Sequence, residues 1–247
     1  MRSHTHAQHF LRSPRLVAEL VGHSNIRKND TVYDLGAGSG VITSVLARRC
    51  KQVIAVEIEL NALRLLRKNV SGLTNVSILE CNMLQLIPIE NHYKIFANIP
   101  FSLSSEVVRS FVFAAHSPKA MYLIVQKQFA RKLVPGNDHF TSELAAEIGP
   151  LYTARIRKPL KRTDFTPPPG VDTVLLELKR REIPLVQNKD IALYRQWVAE
   201  CFNNISYFRK QPLAAANISP ERTPSQLTLE QWLQLWEHKK NHEARTP

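Results

Sequence analysis

The sequence predicts an α/β protein with a doubly wound sheet of seven strands, followed by a small helical domain. Short apolar runs alternate with stretches of helical spacing through the first half of the chain. This alternation is typical of a parallel sheet covered by helices on both faces. A glycine-rich turn joins the first apolar run to the helix after it, as in open α/β folds that bind a ligand there. Beyond Arg180 the sequence is polar with helical periodicity.

The predicted strands are short buried runs bounded by polar or turn residues: Thr31–Leu35, Gln52–Glu57, Asn75–Glu80, Tyr93–Asn98, Met121–Val125, Tyr152–Arg157 and Thr173–Lys179. The predicted helices repeat apolar residues every three or four positions: Pro14–Val21 with Ser13 as N-cap, Val41–Cys50, Leu60–Val70, Ser104–Ala115, Phe129–Val134, Thr141–Ile148, Ile191–Phe202, Tyr207–Ala216 and Leu229–Lys239. We expect the last two strands to close the sheet as an antiparallel pair. The predicted domains are 1–179 and 180–247, the second with a tryptophan-rich core.

The composition indicates a cytoplasmic protein with a polyanionic partner. The chain carries 33 Lys and Arg against 21 Asp and Glu, a formal charge of +12, and 44% hydrophobic residues. The hydrophobic fraction excludes global disorder, and the charge favours nucleic acid or an anionic membrane surface. Cys50, Cys81 and Cys201 lack metal-ligand spacing, so we expect reduced thiols and no metal site. No apolar run has the length of a membrane span.

The turn D-L-G-A-G-S-G, from Asp34 to Gly40, is the first candidate binding element. Glycines permit positive φ and let a ligand approach the backbone. Glu57 ends the next predicted strand, where a carboxylate can accept hydrogen bonds from the hydroxyl groups of a ribose. A nicotinamide dinucleotide and S-adenosylmethionine (SAM) both fit this pairing. The G-x-G-x-G spacing and the polar residues Asn82 and Asn98 at later strand ends favour SAM.

The tetrad Asn98-Ile99-Pro100-Phe101 follows the fourth predicted strand. Pro100 fixes its own φ and keeps Ile99 extended. The Asn98 carboxamide and the Ile99 carbonyl can then converge on one planar amine, beside an aromatic ring on which a base can stack. A β-turn with a buried Phe101 gives the same pattern.

Taken together, these motifs resemble the rRNA adenine-N6 methyltransferase family, which contains the erythromycin-resistance (Erm) enzymes and the dimethyladenosine transferases of small-subunit biogenesis. The matching motifs are Q-x-F-L from Gln8, D-L-G-A-G-S-G from Asp34, V-E at Glu57, N-V-x-I-L-E-x-N from Asn75 and N-I-P-F from Asn98. The resemblance covers about 8–180, including 122–133 and 165–172. N-I-P-F and the short helical tail resemble the Erm branch.

The resemblance implies the fold of a Rossmann-like class I SAM-dependent methyltransferase, with SAM as cofactor and Asn98, Ile99, Pro100 and Phe101 as catalytic residues. The residues that would bind SAM are His9, Leu11, Gly36, Ala37, Gly38, Glu57, Ile58, Asn82, Met83 and Asn98. In this family Gly36 would underlie the methionine moiety, Glu57 would hold the ribose, and the position of Asn82 would recognise the adenine amine.

Two of these positions depart from the family pattern. The family usually has Asn where this chain has His9, and Asp where it has Asn82. The second change removes the charge-assisted part of a hydrogen bond. It implies either weaker SAM affinity or a different hydrogen-bond pattern at the adenine edge.

The expected substrate is ribosomal RNA, contacted through phosphates by basic residues. The candidates are Arg12, Lys127, Arg131, Lys132, Arg157, Lys158, Lys161 and Arg162. Taken singly, each is more typical of a solvated surface position, and only their concentration around 127–162 indicates an RNA contact.

We therefore predict a monomeric methyltransferase that modifies adenine N6 in large-subunit rRNA and gives resistance to macrolide-type antibiotics. The alternatives are a small-subunit dimethyladenosine transferase, and a catalytically inactive RNA-binding protein or transcription factor with the same fold. A nicotinamide-dependent oxidoreductase is a further alternative, although no hydride-transfer site is recognisable.

Overall fold

The computed structural model describes residues 9–11, 13–134 and 141–243. The strands are β1 Phe10–Leu11, β2 Thr31–Leu35, β3 Gln52–Glu57, β4 Val76–Glu80, β5 Tyr93–Asn98, β6 Ala120–Gln126, β7 Tyr152–Leu160, β8 Phe165–Thr166 and β9 Thr173–Arg180. The helices are α1 Pro14–Gly22, α2 Val41–Ala47, α3 Leu60–Val70, α4 Ser104–Val112, α5 Lys127–Leu133, α6 Glu143–Ile148, α7 Ile191–Asn203, α8 Ile205–Arg209 and α9 Leu229–Glu243.

The main sheet has seven strands in the order β4-β3-β2-β5-β6-β9-β7, which confirms the predicted doubly wound sheet. The neighbouring strands β4, β3, β2, β5 and β6 are all parallel. Strand β9 runs antiparallel to β6, with Thr173 opposite Gln126. From β2 the chain proceeds outward to β3 and β4, and it then returns to the other side of β2 for β5 and β6. The carboxyl ends of β2 and β5 therefore flank the switch point, where open α/β sheets hold their ligands.

The central strands are mostly apolar because both faces of the sheet are covered. Residues 120–125 of β6 are fully buried, and so are Ile95, Phe96 and Ala97 of β5. A continuous cluster joins these strands to α1 and α2 through residues such as Leu20 and Leu46. This packing holds the ends of β2, β3 and β5 in fixed positions.

A second sheet pairs β1 with β8, antiparallel, with Phe10 opposite Thr166 and Leu11 opposite Phe165. Leu11 is 7% exposed and Phe165 is fully buried, and both belong to the main core cluster. Burial of these two side chains fixes a pairing of only two residues, which would be too short to persist alone.

The chain forms two compact units, of which the first groups the described residues up to Ala130 with 155–180 and the second groups 131–154 with 181–243. This division differs from the predicted boundary at 179/180, since 131–154 group with the helical part. The reason is that α6 packs in the helical core, where the Tyr194 hydroxyl donates to the Ala146 carbonyl at 3.1 Å.

The helical unit has its own aromatic core, as the sequence indicated. Trp197, Trp232 and Trp236 are 3%, 0% and 6% exposed. Trp197 meets Trp232 edge to face at 5.4 Å between ring centroids, and its indole N–H donates to Gln211 at 2.9 Å. These rings stabilise the unit rather than present a surface for bases.

Some element bounds differ from the predicted ones for identifiable reasons. The expected helix 207–216 is replaced by α8 and a short 3₁₀ turn at Ala214–Ala216, because Pro212 lacks an N–H and cannot continue α8. Strand β7 continues through Pro159 to Leu160. It is the last strand of the sheet, where proline is tolerated.

Candidate active site

A cavity of about 360 Å³ opens at the carboxyl ends of β2, β3, β4 and β5. It lies at the switch point of the sheet, and its volume is in the range of small-molecule sites. The structure brings together here every residue that the sequence indicated for cofactor binding and catalysis: His9, Leu11, Gly36, Ala37, Gly38, Glu57, Ile58, Asn82, Met83, Asn98, Ile99, Pro100 and Phe101. The roles of these residues remain predictions.

The glycine turn forms the floor of the cavity. Gly36 and Gly38 have φ of +68° and +56°, a conformation in which any other side chain is strained. A Cβ atom at Gly38 would lie 3.4 Å from the Phe10 ring, and one at Gly36 would lie 3.1 Å from Met83. The Phe10 ring therefore covers the turn, although Phe10 was not among the predicted site residues. The lack of a side chain at Gly38 was the sequence signal that another group lies close to the turn.

Glu57 is oriented by three backbone donors. Its Oε2 accepts from the Gly38 N–H at 2.8 Å, and its Oε1 accepts from Ile58 and Glu59 at 2.8 and 2.9 Å. The side chain is buried, with the residue 6% exposed. A carboxylate has about four acceptor positions, so one position on Oε2 remains for a ligand hydroxyl group.

Asp34 lies beneath the same turn and is fully buried. Its Oδ2 accepts from the Thr43 hydroxyl at 2.6 Å, and its Oδ1 has no hydrogen-bond partner within the described residues. The pKa of Asp34 is raised to about 7, mainly by burial and in part by the neighbouring charge of Glu57, against the lowering effect of the bond from Thr43. A carboxyl group that titrates near neutral pH therefore lies beneath the turn, outside the residues that line the cavity.

The amide of Asn98 is fixed by the backbone of His9. Its Nδ2 donates to the His9 carbonyl at 2.6 Å. A carbonyl can only accept, so the amide nitrogen faces His9 and the amide oxygen is left as an acceptor. Pro100 has φ of −55° and ψ of 130°, and it leads from Asn98 into the 3₁₀ turn that begins at Phe101.

The His9 side chain contacts the tetrad as well. Its ring is stacked on that of Phe101, with 5.7 Å between centroids and 28° between planes. Its Nδ1 lies 2.7 Å from the Pro167 carbonyl, so Nδ1 carries the hydrogen of this bond. Two side chains of the tetrad, Asn98 and Phe101, thus both meet His9.

Several of the predicted RNA-binding residues form ion pairs. Arg157 lies 3.7 Å from Glu177 and donates to the His23 carbonyl at 2.9 Å. Lys158 is paired with Glu19. These two side chains are therefore occupied within the fold, which was not apparent from their clustering in the sequence.

The remaining candidates are more exposed. Lys127 and Arg162 lie 4.0 and 3.5 Å from opposite oxygens of Asp172, and Lys161 is exposed beside them in sequence. Gln126 ends β6, precedes Lys127 and pairs with Thr173. This cluster therefore lies at the carboxyl end of β6, the same end of the parallel strands as the cavity. Arg131 and Lys132 are exposed on α5, and Arg12 lies outside the described residues.

The three cysteines are free thiols. Burial raises the pKa of Cys50 to about 11 and that of Cys201 to about 12, whereas Cys81 is partly exposed and lines the cavity. Among the described residues no group of three or more His, Cys, Asp or Glu side chains could hold a metal ion. None of the described helices has the length and apolar character that a membrane span requires.

The sheet order and the cavity at the carboxyl ends of its strands are those of the Rossmann-like methyltransferases, as the likeness to a solved methyltransferase shows. The chain matches the family model for ribosomal RNA adenine dimethylases over residues 2–223. It therefore belongs to the ribosomal RNA adenine dimethylase family, an enzyme family of SAM-dependent rRNA adenine-N6 methyltransferases. The family resemblance and the fold class drawn from the sequence are both confirmed.

Individual relatives agree with this assignment. An rRNA adenine N-6-methyltransferase of Escherichia coli is 30% identical over 199 residues, which are 80% of this chain and 79% of that protein. An rRNA adenine N-6-methyltransferase of Saccharopolyspora erythraea is 28% identical over 93% of this chain. The match spans only 63% of the length of that relative. The crystal structure of the 23S rRNA methyltransferase ErmE superposes with a TM-score of 0.80 at 27% identity, covering 93% of this chain and 98% of that chain.

Proposed function

We propose that this chain transfers methyl from SAM to N6 of one adenine in 23S rRNA, and that this modification gives resistance to macrolide-type antibiotics. The orientation of the Asn98 amide carries the proposal. Because its NH2 group is bonded to the His9 carbonyl, its oxygen is an acceptor at the cavity. Family membership supports the chemistry, and the likeness to ErmE supports the large-subunit target.

The amine of adenine needs help to act as a nucleophile, because its lone pair is delocalised into the purine ring. The Asn98 oxygen and the Ile99 carbonyl would each accept one of its N–H groups. These bonds favour a pyramidal nitrogen whose lone pair is localised. As the new N–C bond forms, the bond from the methyl group to sulfur would break with its electron pair passing to sulfur, so that a neutral thioether leaves. The nitrogen is then cationic and readily gives a proton to water. Position and electrostatics therefore suffice, and no strong general base is required.

The cavity fits SAM in volume, in its glycine floor and in its fixed acidic side chain. SAM would supply a methyl group bound to a positively charged sulfur. Glu57 would accept from a ribose hydroxyl through the remaining position on Oε2. Gly36 and Gly38 would let the methionine portion approach the backbone, while Phe10 and the neighbouring residues of β1 exclude water from above.

Phe101 would hold the target base by stacking after the base has left its RNA stem. The half-exposed Lys127 and the exposed Lys161 and Arg162 would contact phosphates near the cavity, since they lie at the same end of the sheet strands. Each such contact releases counterions and makes binding sensitive to salt. The net charge of +12 is consistent with such a partner.

The experiment that tests this proposal is transfer of radiolabelled methyl from SAM to deproteinised large- and small-subunit rRNAs, with primer extension to locate the product. We expect label on one adenine of the large-subunit RNA. Asn98→Ala should lose transfer while the chain stays folded by circular dichroism, whereas Asn91→Ala, the same change at an exposed loop position outside the cavity, should retain both.

Other outcomes would replace the proposal. Label confined to small-subunit RNA would assign the chain to ribosome biogenesis. Absence of both transfer and SAM binding would identify a catalytically inactive RNA-binding protein. Near-normal methylation by Asn98→Ala would refute the role of the amide.

A further inference from the structure

The first unit carries a second concentration of positive charge, at the amino ends of its parallel strands. The segments that lead into β2, β3 and β6 meet there with the last residues of the antiparallel strand β9. The cavity lies at the carboxyl ends of the same strands, so this surface and the cavity face opposite ways. The exposed cations of these segments, called here the amino-end cluster, are Arg27, Lys28, Arg48, Arg49, Lys51, Lys119 and Lys179.

Backbone hydrogen bonds hold these segments side by side. The Lys51 N–H donates to the Asp30 carbonyl at 3.0 Å, which joins the segment before β3 to the segment before β2. The Lys119 N–H donates to the Tyr93 carbonyl at 2.8 Å, and the Arg180 N–H donates to the Lys119 carbonyl at 3.0 Å. Neighbouring strands are about 4.8 Å apart, so the cluster extends for about 20 Å across the sheet from β3 to β9.

The amino-end cluster has little acidic charge beside it. Asp30 is the one acidic residue in the segments 27–30, 48–51, 117–119 and 179–180, and it is paired with the buried Lys94 at 2.7 Å. The following members of the cluster make no ion pair with any described residue: Arg27, Lys28, Arg48, Lys51 and Lys119. The positive charge of this surface is therefore left uncompensated.

Helix dipoles account for only part of this charge. Arg48 and Arg49 follow α2 directly, where a cation is stabilised by the negative end of the dipole. That effect is confined to the last turn of a helix. Lys28, Lys51 and Lys119 lie beyond it, in the segments that enter the strands. A second explanation is needed for these three exposed side chains.

We propose that the amino-end cluster is a second RNA-binding surface. It would contact phosphates of a part of the rRNA other than the stem that holds the target adenine. A row of unpaired cations suits a phosphate backbone, which binds through charge and without base contacts. The proposal rests on the proposed function only in taking rRNA as the substrate.

The geometry separates the two RNA contacts. Strand β2 has five residues and is therefore about 17 Å long, with the cavity at one end and the cluster at the other. Phosphates beside a base in the cavity consequently cannot reach the cluster from the same side of the protein. A folded rRNA offers a second backbone segment for this surface, whereas a single hairpin bound at the cavity does not.

The test compares methyl transfer to the deproteinised rRNA that accepts methyl groups and to a single hairpin cut from it around the methylated adenine. The variant Lys28→Ala/Lys51→Ala/Lys119→Ala removes three cations of the cluster and none of the cavity residues. We expect kcat/KM for the long RNA to fall at least about tenfold, through KM, and kcat/KM for the hairpin to stay within about twofold. The slope of log K against log salt for binding of the long RNA should fall by about 3.

Lys28→Arg/Lys51→Arg/Lys119→Arg is the matched control, because it keeps the charge at the same positions. It should behave as the unmodified chain. An equal loss of kcat/KM for the hairpin and the long RNA in the alanine variant would mean that only net charge matters, and it would overturn the proposal.

An unchanged salt slope in the alanine variant would overturn the proposal as well. If that variant instead lost binding to phosphatidylserine vesicles that the unmodified chain binds, the cluster would belong to a contact with an anionic membrane surface. If no rRNA accepts methyl groups, the proposed function fails, while the salt slope for binding of large-subunit rRNA still decides whether the cluster contacts RNA.

Discussion

The buried carboxyl group of Asp34 makes a quantitative prediction about stability and pH. In the folded chain its pKa is raised to about 7 from an ordinary 3.8, chiefly by burial. A carboxyl group of this kind binds a proton more tightly in the folded state, so its contribution is fully present below about pH 4 and is lost as the pH rises to about 7. We therefore expect the free energy of unfolding to fall between these values, and Asp34→Asn to remove that fall.

The size of the effect follows from the pKa difference. At about 1.4 kcal/mol per unit, the difference of about three units corresponds to about 4 kcal/mol in total, of which about 2.5 kcal/mol falls between pH 5 and pH 8. Asparagine keeps an oxygen for the Thr43 hydroxyl but cannot ionise. Asp34→Asn should therefore gain stability relative to the unmodified chain as the pH rises.

Urea denaturation at pH 5, 6, 7 and 8 measures this difference. Asp172→Asn is the control, since that side chain is 62% exposed and its replacement should leave the pH profile of the unmodified chain in place. A parallel profile for Asp34→Asn and the unmodified chain would refute the reasoning. A larger loss of stability at pH 8 than at pH 5 on substitution would do so as well.

Three further substitutions test the site directly. Glu57→Gln places an NH2 group against a backbone N–H in either amide orientation. We therefore expect the free energy of unfolding, measured by urea denaturation, to fall by about 1–3 kcal/mol. SAM affinity, measured by calorimetry, should fall at least about tenfold. Asn98→Asp keeps an acceptor but sets a carboxylate against the His9 carbonyl, so methyl transfer should fall by about 10² to 10³ in single-turnover assays while the chain remains folded. Arg162→Ala would remove a proposed phosphate contact, made by a cation that Asp172 pairs in the free protein, so the slope of log K against log salt for RNA binding should fall by about 1.

Each of these has an outcome that would contradict it. SAM affinity unchanged in Glu57→Gln would exclude the carboxylate from cofactor binding. Full activity of Asn98→Asp would mean that methyl transfer does not need the bond from residue 98 to the His9 carbonyl. An unchanged salt slope in Arg162→Ala would leave that side chain outside the RNA interface.

The sequence was sufficient for features that local patterns encode. Buried strands have continuous apolar runs, and the glycine turn and the tetrad follow two of those runs directly, so the residues of the cavity could be named from the fold that the strands imply. The short pairing of β1 with β8 could not be predicted, because it joins Leu11 to Phe165 across most of the chain without a local signal.

Side-chain partners were the other limit of sequence reasoning. Arg157 and Lys158 belong to a basic stretch, but Glu177 and Glu19 are brought to them by other elements of the first unit. The Leu84 N–H donates to the Asn82 amide oxygen at 3.0 Å, so the orientation of that amide likewise depends on the backbone of the turn that follows it. Both features are set by tertiary geometry, which composition and periodicity do not contain.

The stack of His9 on Phe101 links two events that are otherwise separate. Stacked bases are spaced by about 3.4 Å, so a purine between the two rings requires about 6.8 Å, whereas their centroids are 5.7 Å apart. A base that uses this face of Phe101 must therefore displace the imidazole of His9. His9 leads directly into β1, whose Phe10 and Leu11 line the cofactor cavity. If this displacement shifts β1, the affinity for RNA depends on whether the cofactor cavity is occupied. By linkage, bound RNA then changes the affinity for the cofactor by the same factor.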